Sequence, residues 1–197
     1  MVQDAYGQPI TFSEGVTDTM ALCLLRAVYS GVGDSQMVFS MEQAVPWRKW
    51  LNFNRLRVRA ERTVPVGPCR FSVSTKGGAI LGDLPPYEAF PIGGNNSVRG
   101  YEEGGVGTGR NYVVASSELL VPLVAPLEGC LFVDYGTDLD SGASVPGDPA
   151  GTRGKPGSGY GYGAGVRLDS PVGPLRLEYA FNDKKLGRFH FGIGTSF

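Results

Sequence analysis

Arg188-Phe-His-Phe-Gly-Ile-Gly-Thr-Ser-Phe197 alternates without a break. Phe189, Phe191, Ile193, Thr195 and Phe197 fall on one face; Arg188, His190, Gly192, Gly194 and Ser196 fall on the other. Period-2 alternation of this length specifies a strand with one apolar face. The stretch also matches the roughly 9–11 residues that a tilted strand needs to cross a bilayer.

Working upstream, the same grammar recurs. Tyr160, Tyr162, Ala164, Val166 and Leu168 alternate with Gly161, Gly163, Gly165, Arg167 and Asp169. Leu175, Leu177, Tyr179 and Phe181 alternate with Arg176, Glu178, Ala180 and Asn182, and Leu56, Val58 and Ala60 alternate with Arg55, Arg57, Arg59 and Glu61. Shorter matches lie near 69–75, 112–121 and 129–136, with a weaker one near 37–42. Turn signals at Gly67-Pro68, Ser170-Pro171 and Asn182-Asp183 separate them, giving about eight strands in an all-β, antiparallel chain.

Two architectures satisfy this pattern. A soluble sandwich or lipocalin-like barrel would turn the apolar faces inward. A transmembrane β-barrel would turn them outward and line its interior with small and charged residues. Periodicity leaves both open. Three features fit the membrane barrel. The polar faces mix glycine with both signs of charge, and aromatic residues gather near strand ends (Tyr160, Tyr179, Phe181, Phe197). Connections are also unequal: most are tight, but those over 84–110 and 137–159 are long, like the loops of one barrel rim.

Composition narrows the function. The 197 residues carry 18 Lys+Arg against 19 Asp+Glu, a net charge of -1, which argues against a general nucleic-acid binder. The length suits one domain or part of a larger one. A single His removes metal sites needing two imidazoles, and Cys23, Cys69 and Cys130 form no CxxC pair, so no metal and no cofactor are expected. The apolar run Met20 to Leu25 is too short for a transmembrane helix, and the N-terminal stretch lacks the core of a signal peptide. The glycine runs 104–109 and 161–165 lack the strand–loop–helix setting and GK[ST] ending of a phosphate loop. His190 lies on a polar strand face with no activated Ser motif near it. Trp47 and Trp50 suit either a membrane interface or a sheet edge. Residues 1–35 form a separate N-terminal segment, compatible with a short helix from Thr17 to Tyr29 capped by Thr17 or Asp18; residues 36–197 form the barrel part.

The first long connection holds Phe90-Pro-Ile-Gly-Gly-Asn-Asn-Ser-Val-Arg-Gly-Tyr101. Its Val98-Arg99-Gly100-Tyr101 resembles the signature of the BamA-type outer-membrane insertase and transporter superfamily. In that family this loop folds back into the lumen, where its Arg meets acidic residues of the wall. Ser117-Glu118-Leu-Leu-Val-Pro122 resembles the strand bearing the first acidic partner, and Phe132-Val-Asp134-Tyr-Gly136 the strand bearing the second. Phe197 supplies the terminal aromatic residue of many members' last strands. Gly94 to Gly104, Tyr135 to Asp138 and Leu168 to Asp183 are similar to the plant members of the chloroplast outer envelope, and the likeness is dense from about Asn52 onward.

Strand parity gives an independent check. With Leu119 and Val121 facing lipid, Glu118 faces the lumen; with Leu131, Val133 and Tyr135 facing lipid, so does Asp134. Both proposed partners of Arg99 therefore point toward the loop.

The resemblance implies a non-enzymatic protein of the plastid outer envelope that inserts or assembles β-barrel or other proteins. An oligomeric pore without insertase activity is the alternative. Its implied partners are the lipid bilayer, substrate barrel proteins, and either further copies of itself or a full-length BamA-like barrel. Full-length relatives carry about sixteen strands preceded by POTRA domains. This chain has room for roughly half those strands and for no POTRA domain. Eight closed strands would leave too narrow an interior for the loop, so pairing with another chain is expected.

Overall fold

In the computed structural model, which describes residues 11, 17–47, 50–147, 154–168, 170 and 173–194, nine strands form one antiparallel sheet in strict chain order. They are β1 (Leu22–Gly31), β2 (Ser35–Ala44), β3 (Phe53–Val66), β4 (Cys69–Gly82), β7 (Asn111–Val124), β8 (Leu127–Thr137), β9 (Ser158–Leu168), β10 (Leu175–Asn182) and β11 (Gly187–Ile193). Two short strands, β5 (Phe90–Ile92) and β6 (Gly107–Gly109), pair with each other inside the connection from β4 to β7. The eight alternating stretches correspond to β2–β4 and β7–β11. Phe197, expected to end the last strand, lies outside the described residues.

The helix expected over Thr17 to Tyr29 is not formed: Leu22–Gly31 is a strand, paired residue for residue with β2 from Leu22↔Ala44 to Gly31↔Ser35. The reason is a tight hairpin at Gly33-Asp34, both in the left-handed region (φ 75° and 49°). Alternation could not reveal this strand because both its faces are largely apolar. Leu22, Leu24 and Val28 share a side with Arg26, and Cys23, Leu25, Ala27 and Tyr29 occupy the other.

Register fixes which side is which. Glu118 stands opposite Ser72 and Phe132, and Asp134 opposite Ser116 and Gly161. On the reverse face, Leu131, Val133, Tyr135, Tyr160, Leu177, Phe189, Phe191 and Ile193 are all exposed, as a lipid-facing surface requires. Near the long-loop rim that surface carries a run of packed rings: Tyr160–Tyr162–Phe181–Tyr179–Phe189, with centroids 4.6–6.5 Å apart. It is the aromatic belt of one membrane interface. All four turns at the opposite rim are short, whereas connections 83–110 and 138–157 leave from the belted rim.

The sheet is open. Among the described residues β1 and β11 pair on one side only. It still curls, because the β4–β7 connection folds into its concave side and touches both halves. Lys76 on β4 donates to the Asn96 carbonyl (2.9 Å), and Asn95 donates to the Phe191 carbonyl on β11 (3.0 Å). Two apolar clusters seat this connection: Ala44, Leu51, Phe53, Ile80, Leu84, Ala89 and Phe90 with Val145 at the belted rim, and Ile92, Val98, Tyr101, Val106 and Val114 deeper in.

Candidate functional site

The connection delivers one cation into the concave side. Val98 is fully buried beside Ile92, Val106 and Val114, and Tyr101 packs in the same cluster. Between these two anchors Arg99 is 4% exposed, and its side chain meets three carboxylates. Nε and Nη2 of Arg99 donate to Oδ2 and Oδ1 of Asp134, both at 2.7 Å, in the bidentate geometry that suits a guanidinium. Nη1 lies 2.8 Å from Oε1 of Glu118 and 3.1 Å from Oε1 of Glu178. The plane of the guanidinium rests over Phe132, 3.5 Å from the ring centroid.

A further set of contacts fixes the acids. The Arg99 backbone N–H also donates to Asp134 (3.1 Å), Ser116 donates to Asp134 (2.6 Å), and Arg167 donates to Glu118 (2.6 Å). Gly100 donates its N–H to Nε2 of His190 at 2.8 Å. Gly100 itself is left-handed (φ 93°), and Gly161 faces the Arg99 carbonyl so closely that any side chain there would collide with it. The glycines of β9 thus leave the wall low where the loop lies against it.

The residues singled out from sequence therefore meet: Arg99 touches both Glu118 and Asp134, with Val98, Gly100 and Tyr101 shaping its approach. Sequence reading missed Glu178, Arg167, Ser116, Phe132 and His190. Parity already put Glu178, Arg167 and His190 on the lumen side. What it lacked was their height along the wall, which depends on the stagger between strands. Glu118, Cys130 and Glu178 approach one another closely enough to suggest a metal, but Arg99 and Arg167 already hold both carboxylates. This is an electrostatic lock, with no nucleophile and base arranged for chemistry among the described residues.

The open edge next to the lock has its own geometry. In β10–β11, Asn182 donates to Leu186 and Gly194 donates to Pro174. Hydrogen-bonded pairs alternate in antiparallel ladders, so Gly187, Phe189, Phe191 and Ile193 turn their N–H and C=O groups away from β10. The Phe191 carbonyl held by Asn95 is thus an acceptor of the free edge. The same reasoning from Val45→Ala21 leaves Leu22, Leu24, Arg26, Val28 and Ser30 with outward backbone groups on β1.

Comparison with known proteins supplies the context. The Omp85 superfamily domain matches residues 33–197. Outer envelope protein 80, chloroplastic, of Arabidopsis thaliana is 56% identical over 98% of this chain, and outer envelope protein 39, chloroplastic, of the same plant is 43% identical over 98%. The chain spans 27% of the first relative's length and 54% of the second's. Among solved structures, BamA of Haemophilus ducreyi lacking POTRA domains 1–3 superimposes with a TM-score of 0.63 at 17% identity, over 85% of this chain and 39% of that one. That likeness is one of fold.

Proposed function

The chain belongs to the Omp85 superfamily, and we propose that it serves protein insertion in the plastid outer envelope as part of a barrel that assembles β-barrel or other envelope proteins beside a full-length relative. The observation that carries this reading is the free β11 edge lying against the lock. Unpaired backbone groups in lipid cost several kcal/mol each, so this edge must find a strand. An incoming segment that pairs with Phe189, Phe191 and Ile193 gains a ladder of backbone bonds without any covalent step. The Arg99 lock keeps the concave wall in shape while the edge exchanges partners. The mechanism is templating, not catalysis of a chemical reaction.

The test places cysteines on the two edges, Val28→Cys and Phe189→Cys, in the protein within envelope membranes. Crosslinks to a larger barrel protein, together with faster folding of a barrel substrate into vesicles containing both, support the reading. An intramolecular link from β1 to β11 would mean a small closed barrel and would overturn it. A second reading, a self-assembled pore, draws on the charged concave wall, where Arg55, Arg57 and Arg59 face inward in succession. Crosslinks between identical chains with ion conductance, and no effect on substrate folding, would favour the pore.

A further inference from the structure

Below the loop tip the concave wall holds a small cleft lined by Arg59, Lys76 and Arg176, which opens into a chamber of about 460 Å³ toward the short-turn rim. Three cations converge there from β3, β4 and β10. Two carboxylates share the cleft, but both are engaged: Glu61 pairs with Arg59 (3.0 Å), and Glu118 is held by Arg99 and Arg167. Arg176 is different. It is 5% exposed, its side chain forms no ion pair or hydrogen bond among the described residues, and its Nε is buried without an acceptor. A buried guanidinium without a partner is costly, and such groups are normally paired and hydrogen-bonded.

Two more groups face the same cleft with capacity to spare. Lys76 donates one of its three protons to the Asn96 carbonyl, leaving two. Asn95 uses its amide N–H on Phe191, but its Oδ1 is buried with no donor. The cleft therefore offers several donors with net positive charge and one acceptor.

We propose that this cleft binds a phosphate group, with Arg176 as its principal ligand, Lys76 as the second, and Asn95 Oδ1 accepting from the phosphate hydroxyl. A hydrogen phosphate satisfies both sides of the site: its unprotonated oxygens take the guanidinium and ammonium donors, and its own O–H meets the orphaned amide oxygen. Chloride and a simple carboxylate have no proton to give to Asn95. The bound group would bridge β4, the loop tip and β10, across the concave side of the sheet. Its source is a soluble phosphate or a lipid headgroup reaching the chamber from the rim near Pro174 and Gly194.

The experiment is calorimetric titration of the whole purified protein in phosphate-free detergent, with ionic strength held constant by chloride. Inorganic phosphate is one titrant and short-chain (dihexanoyl) phosphatidic acid the other. Saturable binding of either, weakened about tenfold or more by Arg176→Gln and more mildly by Lys76→Gln, is the expected result. Inorganic phosphate binding identifies a soluble ligand; a response to phosphatidic acid alone identifies a headgroup. Arg188→Gln, on the same face of β11 but paired with Glu102 outside the cleft, should bind as the native chain does. Native-like binding by Arg176→Gln, or no saturable binding of either titrant by a folded native protein, would overturn the proposal.

Discussion

The lock makes a quantitative prediction about which of its three acids matters most. Asp134 is fully buried and takes both lobes of the Arg99 fork plus the Arg99 backbone N–H. Glu118 divides its oxygens between Arg99 and Arg167. Glu178 makes a single 3.1 Å contact with Arg99 and a 3.6 Å one with Arg167, and its second oxygen is buried without a partner. In direct contact, three carboxylates thus share two guanidinia, and Glu178 is the surplus anion. Asp134→Asn should destabilise the fold by about 3–5 kcal/mol, the usual cost of removing one partner of a buried pair. Glu178→Gln should cost about 1 kcal/mol or less, because the amide replaces a charge that is poorly compensated. Glu118→Gln should fall between them. At about 1.4 kcal/mol per decade, the first two differ by over tenfold in folding equilibrium. Urea titration in vesicles, followed by tryptophan fluorescence from Trp47 and Trp50, reads this directly. The sharper test is a sign. In an Arg99→Met background Asp134 is a buried carboxylate without its counter-charge, keeping only Ser116 and the backbone N–H of residue 99 as donors, so Asp134→Asn should then be neutral or stabilising. Equal costs for the three acids, or an Asp134→Asn cost unchanged by Arg99→Met, would refute the lock.

Other outcomes follow from the same geometry. Gly161→Val should push the loop off the wall, because its side chain would meet the Arg99 carbonyl, and limited proteolysis should then cut within 83–110. His190→Leu should cost about 1–3 kcal/mol by leaving the Gly100 N–H unpaired, whereas His190→Gln should recover part of that. Leu131→Arg should destabilise the protein by about 2–4 kcal/mol in bilayers, since Leu131 faces lipid near mid-strand, and far less if that exposed face met water instead. Asn95→Ala should free the Phe191 carbonyl and raise crosslinking from Phe189→Cys to whatever pairs with β11.

Much of the wall was legible because one face meets lipid and the other a crowded interior. That contrast writes period 2 into β3, β4 and β7–β11, and with it the inward direction of Glu118 and Asp134. The same contrast is absent from β1. Leu22, Leu24 and Val28 point inward where polar residues are expected, so the segment resembled a helix until the Gly33-Asp34 turn paired it with β2. The Arg99 site was found through its motif and parity together, yet Glu178 was not. Parity gives the side of a residue but not its height. Glu178 reaches Arg99 only because β9 and β10 are staggered to set it opposite Gly165, where no side chain intervenes. Ser116 and Phe132 are hidden for another reason: an inward serine and an inward ring carry no signal until a guanidinium lands between them.

The loop also explains how an open sheet keeps its curvature. Closure normally supplies the bend of a barrel, and a nine-stranded sheet without it would be expected to flatten or to bury its edges elsewhere. Here the 83–110 connection is tied to β4 through Lys76, to β7, β8 and β10 through the acids around Arg99, and to β11 through both Asn95 and His190. These ties span six consecutive strands of the sheet from within, so the curvature of β4–β11 rests on the loop and not on the seam. β2 and β3 meet the loop through the pair of Arg55 with Glu88 and through Ala44 and Phe53, which pack with Leu84, Ala89 and Phe90. The two edges are therefore unequal. β11 is tied to the loop by Asn95 at its Phe191 carbonyl and by His190 at Gly100, while its other outward backbone groups stay available; β1 is paired only with β2 among the described residues. Under the proposed function, exchange at β11 requires release of the Asn95 contact at the Phe191 carbonyl, whereas the ties through the Arg99 and His190 side chains lie on the concave side and take no part in the exchanging edge.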